Sequence, residues 1–177
     1  MFDPQDLIRI FNQLFQDSEQ TCLVRGNAEP IYLPANDQKK WHEIHFAHGF
    51  FASALHEIAH WCIAGPERRK QVDYGYWYEP NTRSIETQSA FAEVEAKPQA
   101  LEWIFHQAAG HAFVVSLDNL ALEACDMSEF KSAIVLEAKR YQSMGLPKRA
   151  KHFQQALATF YGQETALTCY SFDLAEI

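Results

Sequence analysis

The sequence feature that most constrains the fold is the stretch Phe50–Trp61, which contains the pattern H-E-x-x-H. The stretch holds no Pro and no Gly, and its Ala, Leu, Glu and Ile residues favour a helix. A helix turns once in about 3.6 residues, so His56 and His60 lie on one face, one turn apart. Glu57 is the next residue around the helix, and we expect it to point into the same cleft.

Two imidazoles in this arrangement bind one metal ion and leave positions for a third protein ligand, water and substrate. The alternative is an amphipathic helix whose histidines only find hydrogen-bond partners. The residues beside the histidines are apolar or small: Phe51, Ala52, Ala54, Leu55, Ile58, Ala59 and Trp61. They would carry the histidines into the interior, where an imidazole pair is costly unless it is liganded or hydrogen-bonded. We therefore favour the metal site.

Length and composition predict one domain, residues 1–177, because 47% of the 177 residues are hydrophobic and suffice for a core. No apolar run approaches the roughly 18 residues that span a bilayer, so we expect no membrane partner. The acidic start, Met-Phe-Asp-Pro-Gln-Asp, is not that of a secretory signal, which predicts a cytoplasmic protein. The four cysteines form no C-x-x-C pair, so no disulfide framework or zinc ribbon is indicated.

The net charge of −8 argues against non-specific nucleic-acid binding and favours a cationic substrate. The largest basic cluster is Arg68-Arg69-Lys70, which we interpret as a small docking patch. A second basic run, Lys148, Arg149, Lys151 and His152, is typical of a solvated helix face.

Hydrophobic periodicity predicts several short strands and several helices. Strands are predicted at 21–25, 31–33 and 41–47, with Ile44 and Phe46 on one face of the last strand and His45 on the other. Helices are predicted at 6–15, 85–97, 98–110, 127–143 and 147–161. The break between the second and third of these is placed at Pro98, because Pro favours the first turn of a helix.

The segment after the H-E-x-x-H helix is unusually aromatic: Tyr74, Tyr76, Trp77 and Tyr78 surround Gly75. Packing and β-propensity alone explain such rings. Amphipathic aromatics near a metal site also suit the wall of a narrow channel for a long side chain. Both interpretations stay open.

The third metal ligand has many candidates. Those that follow the helix are Glu67, Asp73, Glu79, Glu86, Glu93, Glu95, Glu102, His106 and His111. Glu95 is preferred because it shares a helix face with Phe91, which is expected to turn inward, and a carboxylate among apolar residues requires a partner. Glu93, on a more polar side, is second. The alternative for Glu95 is a helix-surface ion pair with a Lys.

No H-x-x-G-x-x-H pattern follows His60, so the long-motif metalloproteases are not matched. A zinc hydrolase or a non-haem Fe(II) centre with two histidines and one carboxylate remains. Glu57 is a general base in the hydrolase and at most an orienter or proton carrier in the Fe(II) enzyme. A closed structural zinc site would need a fourth ligand, for which the candidates are His106 and Cys62.

Five segments resemble one known family. They read P-I-Y-L-P-A at 30–35, F-A-H-G-F at 46–50, H-E-I-A-H-W-C-I-A-G at 56–65, D-Y-G-Y-W-Y at 73–78 and V-E-A-K-P-Q-A-L at 94–101. The family is that of the bacterial elongation factor P hydroxylases. The likeness runs from about Ile8 to the C-terminal helices and is weaker beyond Asn119.

This resemblance implies an enzyme that hydroxylates the β-lysylated lysine of elongation factor P, the last step in modifying that lysine. It also implies a compact α+β fold, a small mixed sheet packed against several helices, similar to that of a small metal-dependent endoribonuclease family. The implied cofactor is Fe(II), ahead of zinc or manganese, with O₂ as co-substrate. On this sequence the metal motif falls on His56 and His60, with Glu95 as our choice of carboxylate.

The substrate side chain implied by the resemblance is long and cationic, which fits an acidic protein. The expected substrate-binding residues are Asp73, Glu86 and the aromatic residues Tyr74, Tyr76 and Trp77. The main rival function is a zinc metallopeptidase-like hydrolase, because H-E-x-x-H occurs in many of those enzymes. A metal-dependent RNase rests only on fold analogy, and the charge of −8 argues against it.

Overall fold

A computed structural model describes residues 2–27, 29–73, 85–116 and 127–177, with side chains of the long helix from residue 94 onward. These residues form three strands and five helices. The strands are β1 (Thr21–Arg25), β2 (Ile31–Leu33) and β3 (His42–Phe46). The helices are α1 (Pro4–Phe15), α2 (Phe51–Ile63), α3 (Ile85–Ala109), α4 (Ser128–Met144) and α5 (Lys148–Tyr161). The α+β class is confirmed.

The strands form one mixed sheet in the order β1-β3-β2. β1 runs parallel to β3 with Leu23 opposite Ile44, and β2 runs antiparallel to β3 with Tyr32 also opposite Ile44. Ile44 and Phe46 are buried, and His45 is half-buried on the other face, as the alternation predicts. One face of the sheet therefore belongs to the core. The likeness to an endoribonuclease fold stays a prediction.

Helix α1 begins with a conventional cap and closes one edge of the sheet. The Asp3 side chain accepts a hydrogen bond from the Gln5 amide, and Pro4 occupies the first helical position, where a missing N–H costs nothing. The Asn12 Oδ1 atom accepts a hydrogen bond from the Leu23 amide at 2.8 Å, which occupies a main-chain donor of β1. The apolar side of α1 packs on the core through Leu7, Ile10, Phe11 and Phe15.

Helix α2 follows β3 after the short turn Ala47–Gly49 and lies at the centre of the molecule. The turn requires a positive φ at Gly49, +72°, and a Cβ there would lie 3.1 Å from the Arg25 guanidinium. Ser53 Oγ accepts a hydrogen bond from the Ala47 amide. The buried residues of α2 cover most of its circumference: Phe51, Ala54, Leu55, Ile58, Ala59, Trp61 and Cys62.

The carbonyl end of α2 is held by Arg149 of α5. The Arg149 Nη2 atom donates to the main-chain oxygens of Trp61 at 3.0 Å and Ala64 at 2.6 Å, and its guanidinium lies 4.6 Å from the Trp61 ring centre. A cation here meets carbonyl groups that have no partner within the helix. The prediction of a solvated basic face is therefore wrong for Arg149, although Lys151 and His152 are exposed.

Helix α3 is continuous through Pro98, so the predicted break at that residue is wrong. A proline inside a helix removes one main-chain hydrogen bond and crowds the preceding turn, at a cost of about 3 kcal/mol. Here Pro98 lies among buried residues on both sides, including Ala96, Ala100 and Leu101. Packing of the described turns on either side of Pro98 against the same core keeps the helix in one piece.

Helices α4 and α5 are joined at Gly145 as predicted, and Gly145 adopts a φ of +88°. Their buried faces pack on α3 and α1. The aromatic centre of this packing includes Phe11, Trp61, Phe105 and Phe153, whose ring centres lie 5.0–6.2 Å apart in successive contacts. Among the described helices, none is both long and apolar enough to cross a membrane.

Replacing Arg149 by Met is expected to lower the free energy of unfolding by about 1–3 kcal/mol, because carbonyl groups at the end of α2 lose their donor. Urea denaturation followed by circular dichroism measures the change. The matched control is Lys151→Met, an exposed residue of the same helix, which should change little. Equal stability of the two variants would contradict the role assigned to Arg149.

Candidate metal site

The structure brings together the three side chains that the sequence predicted as metal ligands. His56 and His60 project from successive turns of α2, and Glu95 projects from α3, which packs against α2. The distances are 3.0 Å between the two Nε2 atoms, 3.7 Å from His56 Nε2 to Glu95 Oε2 and 3.4 Å from His60 Nε2 to Glu95 Oε2. The three atoms converge on one point between the helices.

These three atoms fit one metal ion. The triangle that they form has a circumradius of about 2.0 Å, which is close to the bond length of about 2.0–2.2 Å that zinc, for example, makes to His and carboxylate ligands. Within the described part of the chain, no fourth His, Cys, Asp or Glu joins the group. The arrangement therefore suits an open site better than a closed structural one. His106, a candidate fourth ligand, instead contacts the Ala112 carbonyl oxygen at 2.7 Å.

The Glu95 carboxylate is buried and ionised. Burial alone would raise its pKa, but the hydrogen bond and charge of His60, and the charge of His56, keep the pKa below its ordinary value. An anion with only 3% of its surface exposed requires such partners. The second candidate, Glu93, lies on α3 in the part whose side chains are outside the described residues.

The environment of His56 is strongly anionic. Burial opposes its charged form, but the carboxylates of Glu102, Glu57 and Glu95 outweigh burial and raise the pKa of His56 to about 10. Without metal, both ring nitrogens of His56 therefore carry a proton at neutral pH. The same carboxylates would attract a divalent cation.

Glu102 lies behind a proposed metal ligand, a position that the sequence analysis did not assign to it. It appeared there only as one of several possible metal ligands, but its Oε2 atom lies 2.8 Å from His56 Nδ1, the ring nitrogen on the side away from the proposed metal. The signal that would have found it is spacing: Glu102 follows Glu95 by seven residues, so both lie on the same side of α3.

Glu57 lines a cleft beside the metal ligands, as predicted. The enclosed part of this cleft is small, about 30 Å³. Its described walls consist of Tyr32, Ile44, Glu57, His60, Trp61, Ala64, Arg68, Arg69 and Asp73. A substrate that enters it reaches His60 on one side of the proposed metal. The cleft therefore places a small recess beside His60, the one proposed ligand among its described walls.

The predicted substrate-binding residues are only partly described. Asp73 lies in the cleft, where its main chain pairs with Tyr32 and its carboxylate accepts a hydrogen bond from Arg68. Tyr74, Tyr76 and Trp77 lie outside the described residues. Glu86 lies on α3 in the part whose side chains are not described.

The basic patch is not a simple docking surface. Arg68 pairs with Asp73, Arg69 pairs with Glu19 at 3.1 Å, and the exposed Lys70 pairs with Glu67 at 2.6 Å. The two arginine side chains are half-buried in these pairs. Charge reversal at Arg68 or Arg69 would therefore disturb the cleft wall as well as any docking.

Two imidazoles and one carboxylate in this arrangement could hold a metal ion. Comparison with known proteins defines the family. A profile described as Elongation factor P hydroxylase matches residues 10–172. A protein of Haemophilus influenzae named Elongation factor P lysine hydroxylase is 52% identical over 170 residues, which cover 96% of each chain. The chain belongs to the elongation factor P hydroxylase family, as its motifs predicted.

Binding of Co(II) at this site is expected to release about one proton near pH 7.5, because His56 is protonated without metal and binds metal only as neutral imidazole. Affinity should then rise by about tenfold from about pH 7.5 to 8.5. Calorimetric titration in two buffers with different ionisation enthalpies counts the protons. Heats that do not depend on the buffer would contradict this protonation state.

Proposed function

We propose that this chain is an enzyme that hydroxylates elongation factor P on its β-lysylated lysine side chain, with Fe(II) held by His56, His60 and Glu95. The observation that carries the proposal is the convergence of these three side chains within a member of the elongation factor P hydroxylase family. The Haemophilus protein, whose name states this activity, supports it through 52% identity over nearly the whole chain.

The reaction inserts one oxygen atom into a C–H bond of the substrate. The second atom of O₂ leaves as water, with two protons and with two electrons from a reductant. An unactivated carbon requires an oxidant derived from O₂, and Fe(II) with open coordination positions supplies that chemistry, whereas zinc has no redox chemistry. The choice of Fe(II) over zinc or manganese rests on this argument.

The residues of the chain have distinct roles in the proposal. His56, His60 and Glu95 hold the metal and leave the cleft side open. Glu57, on that side, orients a reacting group or moves a proton to or from it. In a zinc hydrolase the same carboxylate would be the general base.

A cationic substrate is proposed because the protein is acidic, with a net charge of −8. In the cleft, Glu57 and Asp73 lie beside Arg68 and Arg69, and Arg68 pairs with Asp73 while Arg69 pairs with Glu19. We assign Asp73, together with Glu86, to the ammonium groups of the β-lysylated side chain. Tyr74, Tyr76 and Trp77 are assigned to its methylene chain. The proposed partner is therefore β-lysylated elongation factor P, with neither nucleic acid nor a membrane required.

The direct test measures the intact mass of β-lysylated elongation factor P after incubation with the protein, Fe(II), a reductant and air. We expect an increase of one oxygen atom, and no increase with His56→Ala or His60→Ala, because each variant removes a metal ligand. Elongation factor P without the β-lysyl group is the substrate control. An unchanged mass under several reductants and metals would refute the proposal.

Replacing Glu57 by Gln separates the hydroxylase from the zinc hydrolase. A hydroxylase should lose less than about tenfold in kcat, whereas loss of a general base costs roughly 10²–10⁴. Turnover is measured by mass spectrometry with elongation factor P and by cleavage of a peptide library. Peptide cleavage by the unchanged protein that disappears in the variant would favour the hydrolase.

A further inference from the structure

Helix α3 carries a buried polar stripe that extends beyond the proposed metal ligand. Its members are Glu95, Gln99, Glu102 and His106, spaced by four, three and four residues, so they share one side of the helix. Each exposes 4% of its surface or less. Four polar side chains buried in a row are costly unless each has a partner. Their partners therefore indicate what the stripe does.

Two members of the stripe, Gln99 and His106, contact the segment that follows α3. Gln99 Nε2 donates to the Ser116 carbonyl at 2.6 Å, and His106 Nδ1 lies 2.7 Å from the Ala112 carbonyl oxygen. The segment 111–116 therefore lies along the stripe and supplies main-chain acceptors. His111, at its start, also lies 2.9 Å from His106 and stacks on Phe51.

Glu102, which lies between Gln99 and His106 on the stripe, contacts His56, a proposed metal ligand. Glu102 uses both carboxylate oxygens: Oε2 lies 2.8 Å from His56 Nδ1, and Oε1 lies 3.5 Å from His106 Nε2. The His106 Nε2 atom is buried and makes no hydrogen bond within the described structure, so its approach to Glu102 Oε1 is a longer electrostatic contact. Its ring is thus positioned between the Ala112 carbonyl and the Glu102 carboxylate.

We propose that Glu102 and His106 are positioning residues that hold His56 ready for metal binding. The Ala112 carbonyl contacts His106 Nδ1, the other side of the His106 ring lies beside the Glu102 carboxylate, and Glu102 accepts the Nδ1–H hydrogen of His56. Because that hydrogen bond occupies Nδ1, Nε2 is the ring nitrogen that faces the proposed metal, and the ring is kept from turning away. A residue that accepts a hydrogen bond from a metal-binding histidine sets the orientation of the imidazole ring and raises its basicity. The inference rests on the metal site of the proposed function.

Two variants of Glu102 separate its charge from its hydrogen bond. Glu102→Gln keeps an acceptor for His56 but removes the negative charge, and Glu102→Leu removes both. After correction for the proton that His56 releases at each pH, we expect Glu102→Leu to weaken Co(II) binding by roughly 10–100-fold and Glu102→Gln to weaken it less. Affinity is measured by competition with a chelator, and the visible spectrum of bound Co(II) reports whether the ligand geometry has changed.

Two variants of His106 test the second step. The Gln side chain is long enough to place its amide near the Nε2 position, where it faces Glu102. The shorter Asn places its amide near the Nδ1 position and reaches only the Ala112 carbonyl. We expect His106→Gln to bind Co(II) within about threefold of the unchanged protein and His106→Asn to bind it several-fold more weakly, with an altered Co(II) spectrum.

Gln154→Leu is the control for general loss of stability. Gln154 is buried on α5, away from the proposed metal, where it donates to the Thr165 carbonyl and to Tyr170 Oη. Its replacement should lower the unfolding free energy without changing Co(II) affinity. Circular dichroism confirms that each variant is folded, so a loss of affinity in folded Glu102→Leu cannot be ascribed to unfolding.

The proposal is overturned if folded Glu102→Leu binds Co(II) with unchanged affinity and spectrum, or if the Asn and Gln variants of His106 behave alike. Failure of the proposed function gives a different result. Unchanged protein that binds Co(II) but never oxidises elongation factor P refutes the hydroxylase and leaves this inference standing. Unchanged protein that binds no metal refutes both.

Discussion

The structure depends on the contact between α2 and α3, where ionisable side chains face one another in the interior. His56 and His60 come from one helix, and Glu95 and Glu102 come from the other. None of these groups is stable there alone, because burial penalises a charge that has no partner. Their mutual contacts therefore fix how α2 and α3 are shifted along their axes and how each helix is rotated about its own axis. A metal ion bound between them would reinforce the same alignment.

The rest of the fold holds α2 in place from both ends. At the start, the Ala47–Gly49 turn connects it to β3 and the Ser53 hydroxyl fixes that turn. At the end, Arg149 bonds to main-chain carbonyls. The apolar side chains of α2 fill the space between sheet and helices. The side that carries Glu57 faces the cleft, so the helix is at once the centre of the core and the floor of the proposed active site.

Membership of the elongation factor P hydroxylase family and the geometry of the cluster are independent lines of argument. The family comes from sequence likeness along nearly the whole chain, whereas the cluster comes from distances between two helices. The cluster lies beside a cleft whose described walls hold Glu57 and Asp73 together with Arg68 and Arg69. The ion pairs of Arg68 and Arg69 are part of the cleft wall, which makes that wall a structural element as well as a binding surface.

The sequence alone determined the local features: the three strands, the helical spacing of His56 and His60, and the link at Gly145, because periodicity and turn residues act over a few positions. It also selected Glu95, since the helix face of that residue was apparent. Tertiary structure decided what depends on packing between distant segments. The continuity of α3 through Pro98, the burial of Arg149 and the pairing of Glu102 with His56 each require a partner 46 to 88 residues away or a shared core. A short-range pattern shows which side of a helix a residue lies on, as for Glu102 and Glu95, but not which distant residue it contacts, so only the folded chain reveals the partner.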